Sequence, residues 1–378
     1  MNFEHSAERQ MLAVSLDRFL ADHYGFEQRM AISSGPLGFS PEAWGQMAEI
    51  GALSALFPEE AGGFGGQGFD ICVVFESLGK ALVVEPFLGT LMVGRAISEV
   101  GASVHRALLE SMVGGELIGA FAHDEPHAPG ANHLATRADP LADGWRITGR
   151  KAVVAHAEAA GLLLVSAATP NGLALFLVLS TARGLTVTPY PLIDGGHAGE
   201  VMLDGVTVPQ SALLAGPGAA EAILELAQGV GVLALCAEAL GAMEVAKRDT
   251  LEYLRTRHQF GAPIGSFQGL QHRMAQLLIE IEQARSAVIN AAAALHAARG
   301  KRERALSAAK YTIGRVGTLV AEDCIQLHGG IGMTRELPLA HYAKRLVMVD
   351  HQLGDEDFHL QRFAAMDATS AAAVQAAS

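Results

Sequence analysis

The stretch Arg257-His258-Gln259-Phe260-Gly261, continuing through Pro263-Ile264, Phe267-Gln268 and Gln271-His272, carries the most information in this chain. A second stretch, Gln326-Leu327-His328-Gly329-Gly330-Ile331-Gly332, continues into Met333-Thr334-Arg335-Glu336-Leu337-Pro338. Alone, the glycines of the second stretch read as a helix end, because glycine takes the left-handed cap position without a Cβ penalty. The two stretches gain their meaning from what surrounds them.

Residues 219–256, leading into the first stretch, read as one long helix. Leu270, Met274, Leu277, Leu278, Ile281, Ala284 and Val288 form a wide apolar stripe on a second. Leu306, Ile313, Val316, Leu319, Val320 and Cys324 mark a third, and residues 339–348 and 356–365 give two shorter ones. Long helices with short connections predict a bundle. Between 119 and 215 the period changes to short β-rich runs split by Gly, Pro, Asn and Asp, which predict a compact antiparallel β domain. Residues 1–118 read as helical, with a start at Ser6-Ala7-Glu8-Arg9 and proline in a first turn at Pro41. Residues 58–66, dense in glycine, read as a flexible connector. The predicted organisation is an N-terminal helical domain over 1–118, a middle β domain over 119–215 and a C-terminal helical bundle over 216–378. The class is α+β, mainly α.

Bulk properties narrow the function. Half of the 378 residues are apolar, 18% are charged and the formal net charge is −13, which argues against a basic nucleic-acid-binding face. Cys72, Cys236 and Cys324 lie far apart and match no metal-ligand spacing, so free thiols in a reducing compartment are expected. The N-terminus has no basic region followed by an apolar run, which points to a cytoplasmic protein. The most apolar stretch, 229–240, reads as too short to span a bilayer.

The order of regions and the spacing of the two stretches resemble the acyl-CoA dehydrogenase family over nearly the whole chain. Leu203-Asp204-Gly205-Val206-Thr207-Val208-Pro209 is similar to the family's exit from its β domain, and Tyr253 and Arg255 stand upstream of Arg257 as the family places them. The resemblance implies FAD as cofactor, an acyl-CoA thioester as substrate, a C-terminal four-helix bundle and an electron-transferring flavoprotein as acceptor. It implies that Arg257 offers its forked donors to pyrophosphate oxygens, a geometry lysine lacks. Phe260 would lie against the adenine or pack under it, and Gln268 would bond the cofactor's polar edges. Gln326 and the Gly329-Gly330 turn would bring bare backbone to the adenosine end. In the family these residues reach across an interface into a neighbour's cofactor, so an oligomer is implied. The glycine-dense loop at 58–66 would lie near the acyl chain's entrance.

The chain departs from the family in two places. Where the family has Thr-Glu-Pro followed by Gly-Ser-Asp, this chain has Asp124-Glu125-Pro126-His127-Ala128-Pro129-Gly130. Where the family has Trp-Ile-Thr beside the flavin ring, Lys151-Ala152-Val153-Val154-Ala155 stands instead. The family's catalytic glutamate occupies one of two positions, which correspond to Leu353 and to about Gly231. Neither side chain accepts a proton. A base for this chemistry is a desolvated carboxylate within hydrogen-bond reach of the α-proton. Asp355, Glu356 and Asp357 are the nearest carboxylates, and they also read as acids at a helix start. Asp355 is the candidate displaced base. His272 and His328 lie within the two motifs, His351 and His359 flank the acidic cluster, and His123, His127 and His133 crowd the altered loop. No pair has zinc-ligand spacing, and no metal is expected.

These departures make the chain most similar to the small subunit of two-component acyl-CoA dehydrogenases, of the pimeloyl-CoA and steroid side-chain types. That implies a heterotetramer, lipid or steroid catabolism, and a related subunit that supplies the base. Two other readings stand beside it: an independently active homo-oligomer using Asp355 or Glu356, and a flavin-free structural subunit.

Overall fold

The computed structural model describes residues 6–101, 105–126 and 134–377. His127 to Gly130 of the altered loop, and His133, lie outside the described residues. Helices come first: α1 (Ala7–His23), α2 (Phe26–Ser33), α3 (Pro41–Glu49), α4 (Gly68–Ala81), α5 (Phe87–Val100) and α6 (Arg106–Val113). Strands follow: β1 (Gly119–Ala122), β2 (Arg137–Leu141), β3 (Gly144–Ala155), β4 (Leu162–Thr169), β5 (Gly172–Leu179), β6 (Leu185–Pro191), β7 (His197–Pro209) and β8 (Leu213–Ala215). Then come α7 (Ala220–Thr256), the short pair β9 (His258–Gln259) and β10 (Ala262–Pro263), α8 (Gln268–Ala294), α9 (Arg299–His328), α10 (Leu339–His351) and α11 (Glu356–Ala377). The predicted order of helices, strands and helices is the one observed.

Contact density divides the chain into two compact units. One comprises Met1–Phe26, Gln67–Val83 and Val232–Ser378, so α1 and α4 join the C-terminal helices. The cause is visible where α4 crosses α7. A Cβ on Gly79 would lie 1.9 Å from the Glu238 carbonyl oxygen, and one on Gly241 would lie 2.0 Å from that of Glu76. Only glycine permits this reciprocal approach of two backbones. Charge pairs reinforce the unit: Arg9 to Asp70 at 2.6 Å and Lys80 to Asp17 at 2.9 Å. Helix α7 corrects one expectation. As a whole it is long and apolar enough to cross a bilayer, but 78% of its most apolar window is buried within the protein, as a core helix requires.

The other unit comprises Glu27–Gly66 and Val84–Gly231 and contains the sheet. Strand order is β6-β7-β3-β2-β4-β5-β8, mostly antiparallel, with β1 laid parallel on β4 over four residue pairs. Ile147, Leu163, Val165, Phe176, Val201, Leu203 and Val206 build its core. The glycine-dense segment at 58–66 is a tied loop and not the flexible connector its composition suggested. Gly63 donates to Pro58 O, Phe64 to Ser54 O, Gly65 to Phe57 O and Gly66 to Ala55 O, at 2.8–3.1 Å. Buried Arg95 then donates to Gly66 O at 3.2 Å. Glycine here serves tight backbone bonding, which composition alone cannot distinguish from mobility.

Candidate functional site

The first motif forms a hairpin at the end of α7. Phe260 and Gly261 sit at φ 54° and 82° and form the two-residue loop between β9 and β10. Two positive φ values in a two-residue loop are the signature of a type I′ turn, whose twist matches the flanking strands. A phenylalanine there costs on the order of 1 kcal/mol against glycine or asparagine. The result is a ring 93% exposed, fixed edge-on against Phe267 at 6.2 Å between centroids. Arg257 is exposed, with its backbone N–H donating to Tyr253 O and its carbonyl accepting from Ile264. Gln268 opens α8 and is exposed, and Gln271 Nε2 secures the intervening turn by donating to Gly265 O at 2.9 Å.

The second motif closes α9. Gln326 is exposed in its last turn, and Gly329 takes the C-cap at φ 68°. A Cβ on Gly329 or Gly330 would meet nothing within 4 Å, so backbone is open to an incoming group at both. The two motifs, far apart in sequence, meet through a stack: the Tyr253 and His328 rings lie 4.3 Å apart at 22°. Arg257, Phe260, Gln268, Gln326, Gly329 and Gly330 are thus all exposed, on segments anchored at that stack.

Leu353 and Gly231 occupy very different settings. Leu353 is half-buried at φ 56°, and Gly354 follows at φ 94°. Three side chains, two of them fully buried, hold this connector between α10 and α11. Buried His359 Nε2 donates to Leu353 O at 3.0 Å, and buried Lys310 Nζ donates to Gly354 O at 2.6 Å and Asp350 O at 2.9 Å. Arg345 Nη1 donates to Gln352 Oε1 at 3.0 Å. Burial pushes the Lys310 ammonium down, and it pushes His359 down to about 4 with help from the nearby Lys310 and Arg362 charges. Asp355 is exposed and caps α11, its Oδ1 accepting the Phe358 N–H at 2.8 Å. Glu356 and Asp357 lie in the first turn of α11. Gly231 is buried in α7.

Sequence reasoning missed the buried carboxylate of Glu238. Glu238 lies two helical turns beyond Gly231, on the same face of α7. Both its oxygens are taken by Arg345, from Nε at 2.5 Å and Nη2 at 2.7 Å. The seven-residue spacing from Gly231 was the available signal, but its partner on α10 could not be read locally. Lys310 was missed likewise, a lysine set in the apolar stripe of α9.

In the β unit, Val153 stands at φ 52° and 57% exposed, within an irregularity of β3 between Lys151 and Val154. It lies in the stretch where the resemblance implies a ring-flanking aromatic. Half-buried Asp124 accepts the Ala152 N–H through its carbonyl. Behind it lies a closed polar cluster. Fully buried Lys151 donates to Glu125 Oε1 at 2.8 Å, His123 O at 2.9 Å and Ser166 Oγ at 3.2 Å. His123 Nδ1 meets Ser166 Oγ at 2.8 Å. Glu125 also accepts the Ala135 and Thr136 N–H groups. Burial alone would raise the Glu125 carboxyl, but these donors, Lys151 first, bring it down to about 2. The same burial pushes the Lys151 ammonium and the His123 imidazole down.

The residues fit FAD at one end and depart at the other. An exposed guanidinium, an exposed aromatic face, two exposed amides and open glycine backbone suit a pyrophosphate with adenosine. Val153 and Ala155 supply neither a flanking ring nor a hydroxyl for an isoalloxazine.

Residues 6–125 match the model of the acyl-CoA dehydrogenase N-terminal domain, and residues 226–366 that of the C-terminal domain. Acyl-CoA dehydrogenase IpdE2 of Mycobacterium tuberculosis is 32% identical over 89% of this chain and 90% of its own. Among solved structures, a variant of the Tcur3481-Tcur3483 steroid ACAD superposes at a TM-score of 0.89 with 33% identity, covering 97% of this chain and 99% of that one. PigA with FAD and proline superposes at 0.89 with 26% identity, covering 97% and 98%.

Proposed function

The chain belongs to the acyl-CoA dehydrogenase family, and from that premise we propose that it is one subunit of a two-component FAD-dependent enzyme that desaturates an acyl-CoA between Cα and Cβ. A related partner chain supplies the base. One observation carries this reading: the phosphate-end residues are exposed and preset, while two carboxylates near the base positions in sequence, Glu238 and Asp355, are already engaged. Glu238 is locked by Arg345 and Asp355 caps a helix. A carboxylate held by two charge-assisted bonds is a poor acceptor for a weakly acidic C–H proton.

In this assembly Arg257 holds a phosphate through its fork, Phe260 offers its face to the adenine, and Gln268 and Gln326 bond polar edges. Gly329 and Gly330 let backbone approach the adenosine end. Bound FAD supplies the hydride acceptor for the substrate's Cβ–H. The Tcur3481-Tcur3483 steroid ACAD, which bears two polypeptide designations, supports a hetero-oligomer, and PigA with FAD supports the cofactor. A large lipid or steroid side chain as the acyl group, an electron-transferring flavoprotein as acceptor and a cytoplasmic setting belong to the same reading.

Purifying the chain alone, and co-expressed with a candidate related subunit, tests the proposal by flavin absorbance. The expected result is little FAD on the single chain and stoichiometric FAD, bleached by substrate, on the pair. Stoichiometric FAD bleached by acyl-CoA on the single chain would overturn it. In the pair, Asp355→Ala and Glu356→Ala are expected to leave flavin reduction unchanged.

A further inference from the structure

The stack of Tyr253 on His328 has a position that neither residue's own chemistry explains. Tyr253 lies one helical turn before Arg257, and its carbonyl accepts the Arg257 N–H at 2.9 Å. Arg257 O in turn accepts the Ile264 N–H at 2.8 Å, which closes the hairpin bearing Phe260. His328 is buried and directly precedes the Gly329 cap. Its Nδ1 is held by Cys324 O at 2.9 Å, which fixes the ring's rotation on α9. The glycine turn folds back on the same residue: a Cβ on Gly332 would lie 3.0 Å from His328 Cβ and 2.9 Å from Ile325 O. Each ring is therefore coupled by backbone to one cofactor-facing segment, and the two rings meet face to face.

We propose that Tyr253 and His328 are positioning residues that set the register between the Arg257–Phe260 hairpin and the Gln326–Gly330 turn, so that both segments meet one cofactor. The cofactor half of this statement rests on the FAD reading above; the register half does not. A stacked pair is worth about 0.5–1.5 kcal/mol beyond its buried area, or roughly 2- to 13-fold in an equilibrium constant. Tyr253→Phe and His328→Phe keep two facing rings. Tyr253→Leu and His328→Leu remove the stack at similar apolar volume.

The test uses amide hydrogen exchange in the full-length chain and FAD affinity of the chain paired with its partner. In Tyr253→Leu, exchange across 329–333 should quicken, although the substitution is on another helix, and His328→Leu should quicken exchange across 257–264. FAD affinity should fall about 2- to 13-fold in either, and no further in the double variant. Tyr253→Phe should match wild type in both measurements. Unchanged exchange in the distant segment, or losses that add in the double variant, would overturn the proposal even if melting temperature falls. Should one leucine variant fail to fold, the other decides it. Should FAD bind no form of the protein, the functional reading fails while the exchange data still decide the register.

Discussion

Arg345 grips Glu238 side-on, through Nε at 2.5 Å and Nη2 at 2.7 Å, and turns its remaining nitrogen to Gln352, the residue before Leu353. One guanidinium thereby ties α7 and α10 to the connector that carries Leu353. Replacing it alone strands a buried carboxylate. Arg345→Met should cost about 3–5 kcal/mol, while adding Glu238→Leu should recover much of the loss, because a packed apolar pair replaces buried ions at little cost. Chemical denaturation of the two variants checks this. Equal loss in both would show that packing, and not charge, dominates there.

His359 sets an acid limit on stability. Its ring is held down to about 4 against an ordinary value of 6.5. Between those values the unfolded chain takes up a proton that the folded ring refuses, so stability falls as pH drops from 6.5 to 4. Above 6.5 this contribution is constant, and below 4 the accumulated loss is on the order of 3 kcal/mol. His359→Gln, which keeps a donor for Leu353 O, should flatten the melting-temperature profile over that window.

Glu125 acts lower on the pH scale. Its folded value of about 2 lies below the ordinary 4.5, so its stabilisation is full above 4.5 and drains away as pH falls toward 2. Lys151→Met leaves that carboxylate buried without its ammonium and should cost roughly 3–5 kcal/mol at neutral pH. Thermal melts of the variant at neutral pH give the comparison; a negligible drop would mean that Ala135 and Thr136 suffice.

Phe260 separates folding from binding. Asparagine suits a type I′ position better than phenylalanine, so Phe260→Asn should leave stability unchanged or raise it by up to about 1 kcal/mol. If the exposed ring stacks on adenine, FAD affinity of the paired enzyme should fall roughly 5- to 150-fold, the equivalent of about 1–3 kcal/mol. Unaltered affinity would remove Phe260 from the cofactor site.

Much of the fold was legible because its signals are local. The 3.6-residue stripe through Leu270, Met274, Leu277 and Ile281 lies within one helix, and the Gly-punctuated runs at 144–208 lie within single strands. The exposed motif residues were legible because their neighbours in sequence set their geometry. Phe260 and Gly261 form their own turn, and Gly329 its own cap. The loop at 58–66 misled, since glycine serves tight bonding and mobility equally.

What the chain alone determined, then, was the order of its regions, the family motifs and the absence of a carboxylate at Leu353 and Gly231. What only tertiary structure decided was the partner of each buried charge: Glu238 with Arg345 across 107 residues, Lys151 with Glu125 and Ser166, Lys310 with the end of α10. The reason is physical. Periodicity fixes which face of a helix is buried, but the crossing of two helices, set by close contacts such as Gly79 with Glu238, fixes which residues on those faces meet.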